Sequence, residues 1–398
     1  MPVTPSVGLP TRSFRRLAVR RTVRPMAIVI VGAGLAGGTA ATELREHGYD
    51  GRVVLIGAEE HPPYERPPLS KGYLLGNDPL DVAFVHPREW YPDHDVELRL
   101  GVRATAVDLS ARVVRTTAGD ESFDGLLLAT GAEPRRLALA EESGVPTAYL
   151  RTIEDSDRLK AAFGAGRRIV IVGAGWIGLE AAAAARAAGS DVTVFETAEL
   201  PLLRVLGPTV AGMFAGLHRE HGVDLRLGTS VTTTDLAAAD LVVAGVGVSP
   251  RVELAKEAGL AVEDGVLVDA RLRTSSPSVF AVGDIANHDH PVLGRRIRVE
   301  HWDTALNQAK VAARNLAGGD ELYEAMPYFF TDQYDLGMEY VGHGGADDEV
   351  VVHGDLEGRV FRAFWLREGR VVAAMHANDW DATDDLRAAV ASGELPTG

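Results

Sequence analysis

Short apolar runs alternate with alanine-rich stretches over the first two-thirds of the chain. Ala27-Ile-Val-Ile-Val31 and Ile169-Val-Ile-Val172 are two such runs. Brief, uniformly apolar runs predict strands buried on both faces of a parallel sheet. Each is followed by an Ala-rich helical stretch, 36–47 and then 177–188. Each stretch ends at a glycine, Gly48 and Gly189, which is a helix-stop signal. A second apolar strand follows each helix, at 53–56 and at 192–195. The runs at 123–131 and 239–247 also parallel one another and end in small residues. A further run, 279–284, comes after the second repeat and is placed to return to the first. From about residue 322 the pattern changes to short strands separated by Gly and Asp, with a closing helix at 381–392. That predicts a third, antiparallel α+β unit.

The repeats share more than periodicity. The first strand runs into Gly32-Ala-Gly34-Leu-Ala-Gly37, and its counterpart into Gly173-Ala-Gly175-Trp-Ile-Gly178. An acid, Glu59 or Glu196, stands just after the second strand of each. This is the dinucleotide-binding βαβ fingerprint, present twice. The first glycine makes a tight turn, the second lets backbone approach a pyrophosphate, and the third lets the helix pack on the strand. The helix N-terminus then offers free N–H groups to phosphate charge, while the acid accepts from ribose hydroxyls. Thr130, Gly131 and Gly247 end strands where backbone would approach a nucleotide. Glu196 predicts NADH over NADPH, because a 2′-phosphate would meet like charge; Arg204 is the nearest basic residue. The expected fold is α/β, with two Rossmann-like dinucleotide-binding domains, glutathione-reductase-like, plus a C-terminal α+β domain. The expected boundaries are 26–137 with 262–321, then 138–261, then 322–398.

Composition narrows the chemistry. The 398 residues carry 40 basic and 56 acidic side chains, a net charge of −16, so nucleic acid is a poor partner. With no cysteine, thiol relays, Fe–S ligation and Cys-ligated zinc are excluded. No apolar run is long enough to span a membrane. Residues 1–25 hold six Arg and no acid, and are expected to be a disordered tail or an upstream start, with the working chain beginning at Met26. His288-Asp-His290 has spacing that suits a metal, but no further ligand cluster accompanies it. A solvated turn is expected there, and no metal site.

Five further motifs stand beside the glycines: Pro63-Tyr-Glu-Arg-Pro-Pro-Leu-Ser-Lys71, Ala129-Thr-Gly-Ala132, Gly283-Asp284, Arg298-Val-Glu-His-Trp302 and Tyr328-Phe-Phe-Thr-Asp-Gln333. With them, residues 26–380 resemble the FAD-dependent ferredoxin reductases of bacterial oxygenase systems. The resemblance implies FAD on the first repeat and NADH on the second; a cytoplasmic location is expected, the lack of cysteine being compatible with a reducing cytosol. It puts Gly32, Gly34, Gly37 and Glu59 at the ADP half of FAD, and Arg66 and Arg135 along the flavin nucleotide. Lys71 is implied beside the isoalloxazine ring, Asp284 on the ribitol and Trp302 flanking the ring. Glu180 would approach the nicotinamide and pair with Lys71. Lys71, Glu180 and Trp302 are thus the implied catalytic residues, though hydride transfer itself belongs to the cofactors.

Three departures from that family stand out: a shortened segment at 231–240, Arg251 where Asn is usual, and His301 in place of a smaller residue in some members. The implied partner is a ferredoxin-type one-electron carrier. The densest basic run after residue 25, Arg295, Arg296 and Arg298, is the expected docking patch, with Lys310 and Arg314 extending it and Phe329 and Phe330 as an apolar edge. The alternative is an NADH-sensing switch or scaffold like apoptosis-inducing factor. A membrane-surface quinone reductase would need an amphipathic basic or apolar C-terminal helix, and the sequence after Trp380 is acidic.

Overall fold

The computed structural model describes residues 26–397; the segment expected as a tail, 1–25, lies outside the described residues. Two parallel five-stranded sheets form the first two-thirds. In the first, strands Val279–Ala281, Gly125–Leu128, Ala27–Val31, Arg52–Ile56 and Val96–Arg99 lie side by side in that order. In the second the order is Asp224–Arg226, Asp191–Phe195, Arg168–Val172, Leu241–Ala244 and Thr147–Ala148. The apolar runs of the central strands, Ala27–Val31 and residues 169–172, are fully buried, as such continuous runs require. The strand Val279–Ala281 pairs with Gly125–Leu128, so the chain does return to the first sheet after building the second.

The repeat is exact in its hydrogen bonding. Gly32 N donates to Ile56 O and Gly173 N to Phe195 O, both at 2.8 Å. Ala129 N donates to Val31 O and Gly245 N to Val172 O, again at 2.8 Å. The carboxyl ends of each strand trio therefore close on one glycine turn, where α/β sheets bind ligands. A short antiparallel ladder, Ala132–Pro134 against Val248–Pro250, carries the chain between the domains. Ala255 and Leu260 already pack in the first domain's core.

The C-terminal unit is an antiparallel sheet in the order Tyr328–Gln333, Leu336–Gly342, Arg370–Ala377, Val360–Arg367 and Glu349–Asp355. The closing helix, Thr383–Ser392, buries Leu386, Ala389 and Val390 against it. Its apolar face is thus spent on this sheet and is not presented to a membrane surface. Among the described residues no helix is long and apolar enough to cross a membrane. The shortened segment at 231–240 folds as a four-residue helix, Thr233–Leu236, closed by a capping box between Thr232 and Asp235.

One local reading changes. His288 and His290 do not lie in a solvated turn. They sit in strand Ala286–His290, each 1% exposed, on either side of the exposed Asp289. Their alternation was a strand signal, since period-two residues share a face. Both imidazoles pack against Tyr323, and burial, with His290 adding, pushes His288 down to about 3.

Candidate functional site

A single cleft of about 1510 Å³ runs along the carboxyl ends of both parallel sheets and is bounded by the C-terminal unit. Drug-sized ligands need roughly 300–1,000 Å³, so this volume suits something larger. Of the expected site residues, Gly32, Gly34, Glu59, Arg66, Lys71, Thr130, Gly131, Arg135, Gly173, Gly175, Glu180, Glu196, Gly247, Asp284 and Trp302 all line it. Gly37 and Gly178 do not; they lie under it, where helix meets strand. A Cβ on Gly37 would stand 1.9 Å from Gly32 O, and one on Gly178 2.0 Å from Gly173 O. By contrast, a Cβ on Gly34 or Gly175 meets nothing within 4 Å. In each repeat, then, two glycines are needed by the protein's own packing. The middle one faces space into which a ligand can come close.

Around the first turn, Glu59 accepts from Tyr64 Oη at 2.5 Å and from Arg66 Nη2 at 3.2 Å. Arg66 also donates to the Arg151 carbonyl. Arg151 was not anticipated. It lines the cleft, donates to Asp284 Oδ2 at 2.7 Å, and keeps its Nε buried without a partner. Burial, and then the nearby Arg66, push Arg151 below the usual arginine range. Two crowded guanidinium groups and an orphaned donor make this wall fit an anionic diphosphate or polar ring edge. Trp302 opens helix Trp302–Leu316 on the same side, and its indole Nε1 is likewise buried without a partner. His301, just before it, is pushed down to about 4 by burial, with Lys71 adding. On these observations the residues present fit FAD in the first half of the cleft.

At the waist of the cleft, Lys71 Nζ donates to Glu180 Oε1 at 2.8 Å. Glu180 is 4% exposed and accepts two further bonds, from Ser70 Oγ and from Thr331 Oγ1. Lys71 also sits over the Phe330 ring at 5.4 Å. A buried carboxylate needs this many donors to remain charged.

In the second half, Glu196 Oε2 accepts from Ala174 N at 2.8 Å and Oε1 from Ala198 N at 2.9 Å. These bonds fix the carboxylate beside the second glycine turn. Arg204 lines the same cleft and is exposed. Arg135 donates through Nε to Val248 O at 3.0 Å, and Thr130 through Oγ1 to Arg251 O at 2.7 Å. The two interdomain segments are thereby latched beside the cleft. Replacing Glu196 by Ala removes the like charge that a 2′-phosphate would meet and leaves Arg204. The ratio of kcat/KM for NADH to that for NADPH should fall by roughly tenfold, about 1.4 kcal/mol. An unchanged ratio in steady-state assays would take Glu196 out of nucleotide selection.

The expected docking residues fare unequally. Arg295 and Arg296 are exposed on strand Arg295–Ile297, though Arg296 already donates to Val268 O and Asn287 O. Arg298 is not a free surface charge. Its side chain is 10% exposed and paired with Asp264 and Glu300, and its Nη1 reaches Asp284 O at 3.2 Å. It braces the loop that carries Asp284. Arg314 is likewise taken by Glu43 and Glu321, while Lys310 stays half-exposed. Phe330 is half-buried and lines the cleft; Phe329, also half-buried, packs on Trp176 and Tyr340.

Comparison with known proteins agrees with this geometry. Residues 26–309 match the description "pyridine nucleotide-disulphide oxidoreductase", and 328–397 match "reductase C-terminal". The chain is 41% identical to the anthranilate 1,2-dioxygenase system ferredoxin–NAD(+) reductase component of Burkholderia cepacia, covering 92% of this chain and 95% of that one. It is 37% identical to putidaredoxin reductase of Pseudomonas putida, covering 88% of each. Putidaredoxin reductase in its covalent complex with putidaredoxin superposes with a TM-score of 0.86 at 35% identity, over 91% of each chain. With both parts matched in order along nearly its whole described length, this cysteine-free chain belongs to the pyridine nucleotide-disulphide oxidoreductase family and carries its reductase C-terminal domain.

Proposed function

We propose that this chain is an FAD-dependent NADH:ferredoxin oxidoreductase that feeds an oxygenase through a ferredoxin-type carrier. The observation that carries the reading is one cleft holding two equivalent glycine cradles, with the Lys71–Glu180 ion pair between them. FAD bound here would supply the redox chemistry, two-electron acceptance from NADH and one-electron donation to the carrier. With no cysteine, the chain has no thiol relay on that route.

The chain's own residues do the positioning. Gly34, in the turn that Gly32 and Gly37 shape, would with Glu59 hold the ADP half of FAD, and Arg66, Arg135 and Arg151 would follow its diphosphate. Asp284 and Trp302 would border the reacting ring, and Gly175, in the turn shaped by Gly173 and Gly178, would with Glu196 hold NADH. Lys71 supplies fixed positive charge at the waist, which preorganised burial makes worth more than in water. We place the activity in the cytoplasm, where NADH is made. The relatives reported above are named as reductases, so the switch reading gains no support.

Purified protein should be yellow, anaerobic NADH should bleach it, and rapid cytochrome reduction should require added ferredoxin. A colourless protein that takes up no FAD would sink the reading. For docking, the exposed pair Arg295 and Arg296 is the stronger candidate now that Arg298 and Arg314 are committed elsewhere. Bacterial ferredoxins are generally acidic, and this chain carries −16 overall, so docking needs a local basic patch. Arg295→Glu with Arg296→Glu should slow ferredoxin reduction at least tenfold, while NADH bleaching hardly changes. The wild-type rate should fall as salt passes about 0.1 M, where screening shortens to roughly 10 Å. A charge-reversed variant with the wild-type ferredoxin rate at low salt places the docking face elsewhere.

A further inference from the structure

Glu180 is the inner end of a longer chain of buried groups. Thr331 Oγ1 lies 2.6 Å from Glu180 Oε1, and Gln333 Nε2 lies 3.2 Å from Thr331 Oγ1. His218 Nε2 is 2.8 Å from Gln333 Oε1, and Tyr334 Oη is 3.3 Å from His218 Nδ1. Thr331, Gln333 and His218 are at most 1% exposed, and Tyr334, half-buried, is the outer end.

The direction of every bond follows from the carboxylate. It only accepts, so Thr331 donates to it. Thr331 Oγ1 must then accept, so the Gln333 amide nitrogen faces it and the amide oxygen faces His218. His218 must therefore carry its proton on Nε2, leaving Nδ1 to accept from the Tyr334 hydroxyl. Burial pushes His218 down to about 4, which keeps it neutral as this tautomer requires. An amide in the middle makes this a fixed chain of donors and not a proton conduit. All four dipoles point at Glu180.

The outer end is itself held in an unusual backbone conformation. Gln333 pairs with Leu336, so Tyr334 and Asp335 form a two-residue hairpin turn. Tyr334 has φ +58°, a conformation turns of this length usually give to Gly or Asn. Bulky residues there are strained and persist only where surroundings over-determine them. Here the His221 ring stacks on Tyr334 with centroids 3.7 Å apart and an interplanar angle of 11°, fixing the hydroxyl toward His218.

We propose that Tyr334, His218, Gln333 and Thr331 are positioning residues, a one-way donor chain that holds the Glu180 carboxylate in place for Lys71. The chain ties the C-terminal sheet and the helix carrying His218 to the waist of the cleft. Its effect on rate rests on the function proposed above; its bonding does not. The charged and titratable groups around Glu180 are Lys71 and Asp332, with His301 beside Lys71; those around the outer end are His221 and Arg186.

Two measurements on the FAD-loaded protein test it. Thr331→Val keeps shape and deletes the hydroxyl; Thr331→Ser restores it. Hydrogen bonds to charged groups predict that Val slows anaerobic flavin reduction by NADH roughly tenfold. It should also move the low-pH limb of that rate up by about one pH unit, and Ser should recover both. Tyr334→Phe should move the limb the same way by less. Independently, 15N histidine NMR should show a neutral Nε2–H imidazole that persists to pH 5.5 and vanishes in His218→Gln. An Nδ1–H tautomer at His218, or Val and Ser variants with the same pH profile, overturns the chain. If wild type is not reduced by NADH at all, the functional reading fails, while the NMR result still judges the bonding.

Discussion

Gly34→Leu should fold normally and purify colourless, while Gly32→Ala should lose stability. The two glycines stand two residues apart in one turn, yet the structure asks opposite things of them. At Gly32 the backbone has φ +115° and an added Cβ would lie 2.1 Å from Ala129 O. A methyl group there strains the backbone and drives apart two strands of the first sheet. The φ strain alone costs about 1–3 kcal/mol, and thermal or urea unfolding will read the loss. At Gly34 the backbone is extended, at φ −91° and ψ −165°, and nothing stands within 4 Å of an added Cβ. A leucine there leaves the protein's own contacts alone and fills the space where backbone would meet the pyrophosphate. Flavin absorbance per mole of protein should drop at least tenfold with the melting temperature of apo-protein hardly moved. If Gly34→Leu keeps its full flavin content, the first repeat is not the FAD cradle.

The difference between those glycines shows how far sequence carries. The repeats were readable because each element rests on local chemistry: apolar strands, a glycine turn, an alanine helix, an acid. The ion pair at the waist was readable only through the motifs around Lys71 and Glu180, which are 109 residues apart. Arg151 escaped notice because packing between domains gives it its role. One signal was available: Thr152 and Asp155 form a capping box, which places Arg151 at the mouth of a helix. The basic run at 295–298 looked uniform because Asp264, the distant partner of Arg298, is invisible in local sequence. His288 and His290 were misread because their polarity outweighed their period. The bond between His218 and Gln333 spans 115 positions and has no sequence signature.

Lys71→Met should be the most damaging single change at the waist, and a second substitution should repair half of the damage. Lys71 is 16% exposed and its partner Glu180 4% in their side chains. Methionine keeps the length of the lysine stem and removes its charge. The Glu180 carboxylate then stays buried with only Ser70 and Thr331 as donors. Breaking a buried pair this way costs about 3–5 kcal/mol; the donors that remain put the expectation near the lower bound, about 3 kcal/mol. On the proposed placement of Lys71 beside the flavin ring, losing its fixed charge should also slow NADH bleaching by roughly a hundredfold. Lys71→Met with Glu180→Gln removes the stranded charge, so stability should recover by most of that amount. The rate should not recover, because the positive charge is still missing. The two readouts thus separate the role of Lys71 in holding Glu180 from its role in the chemistry. A double-mutant cycle on urea unfolding isolates the coupling. Purely additive stabilities would mean the pair is not coupled in solution. A Lys71→Met enzyme that bleaches at the wild-type rate would remove Lys71 from the reaction altogether.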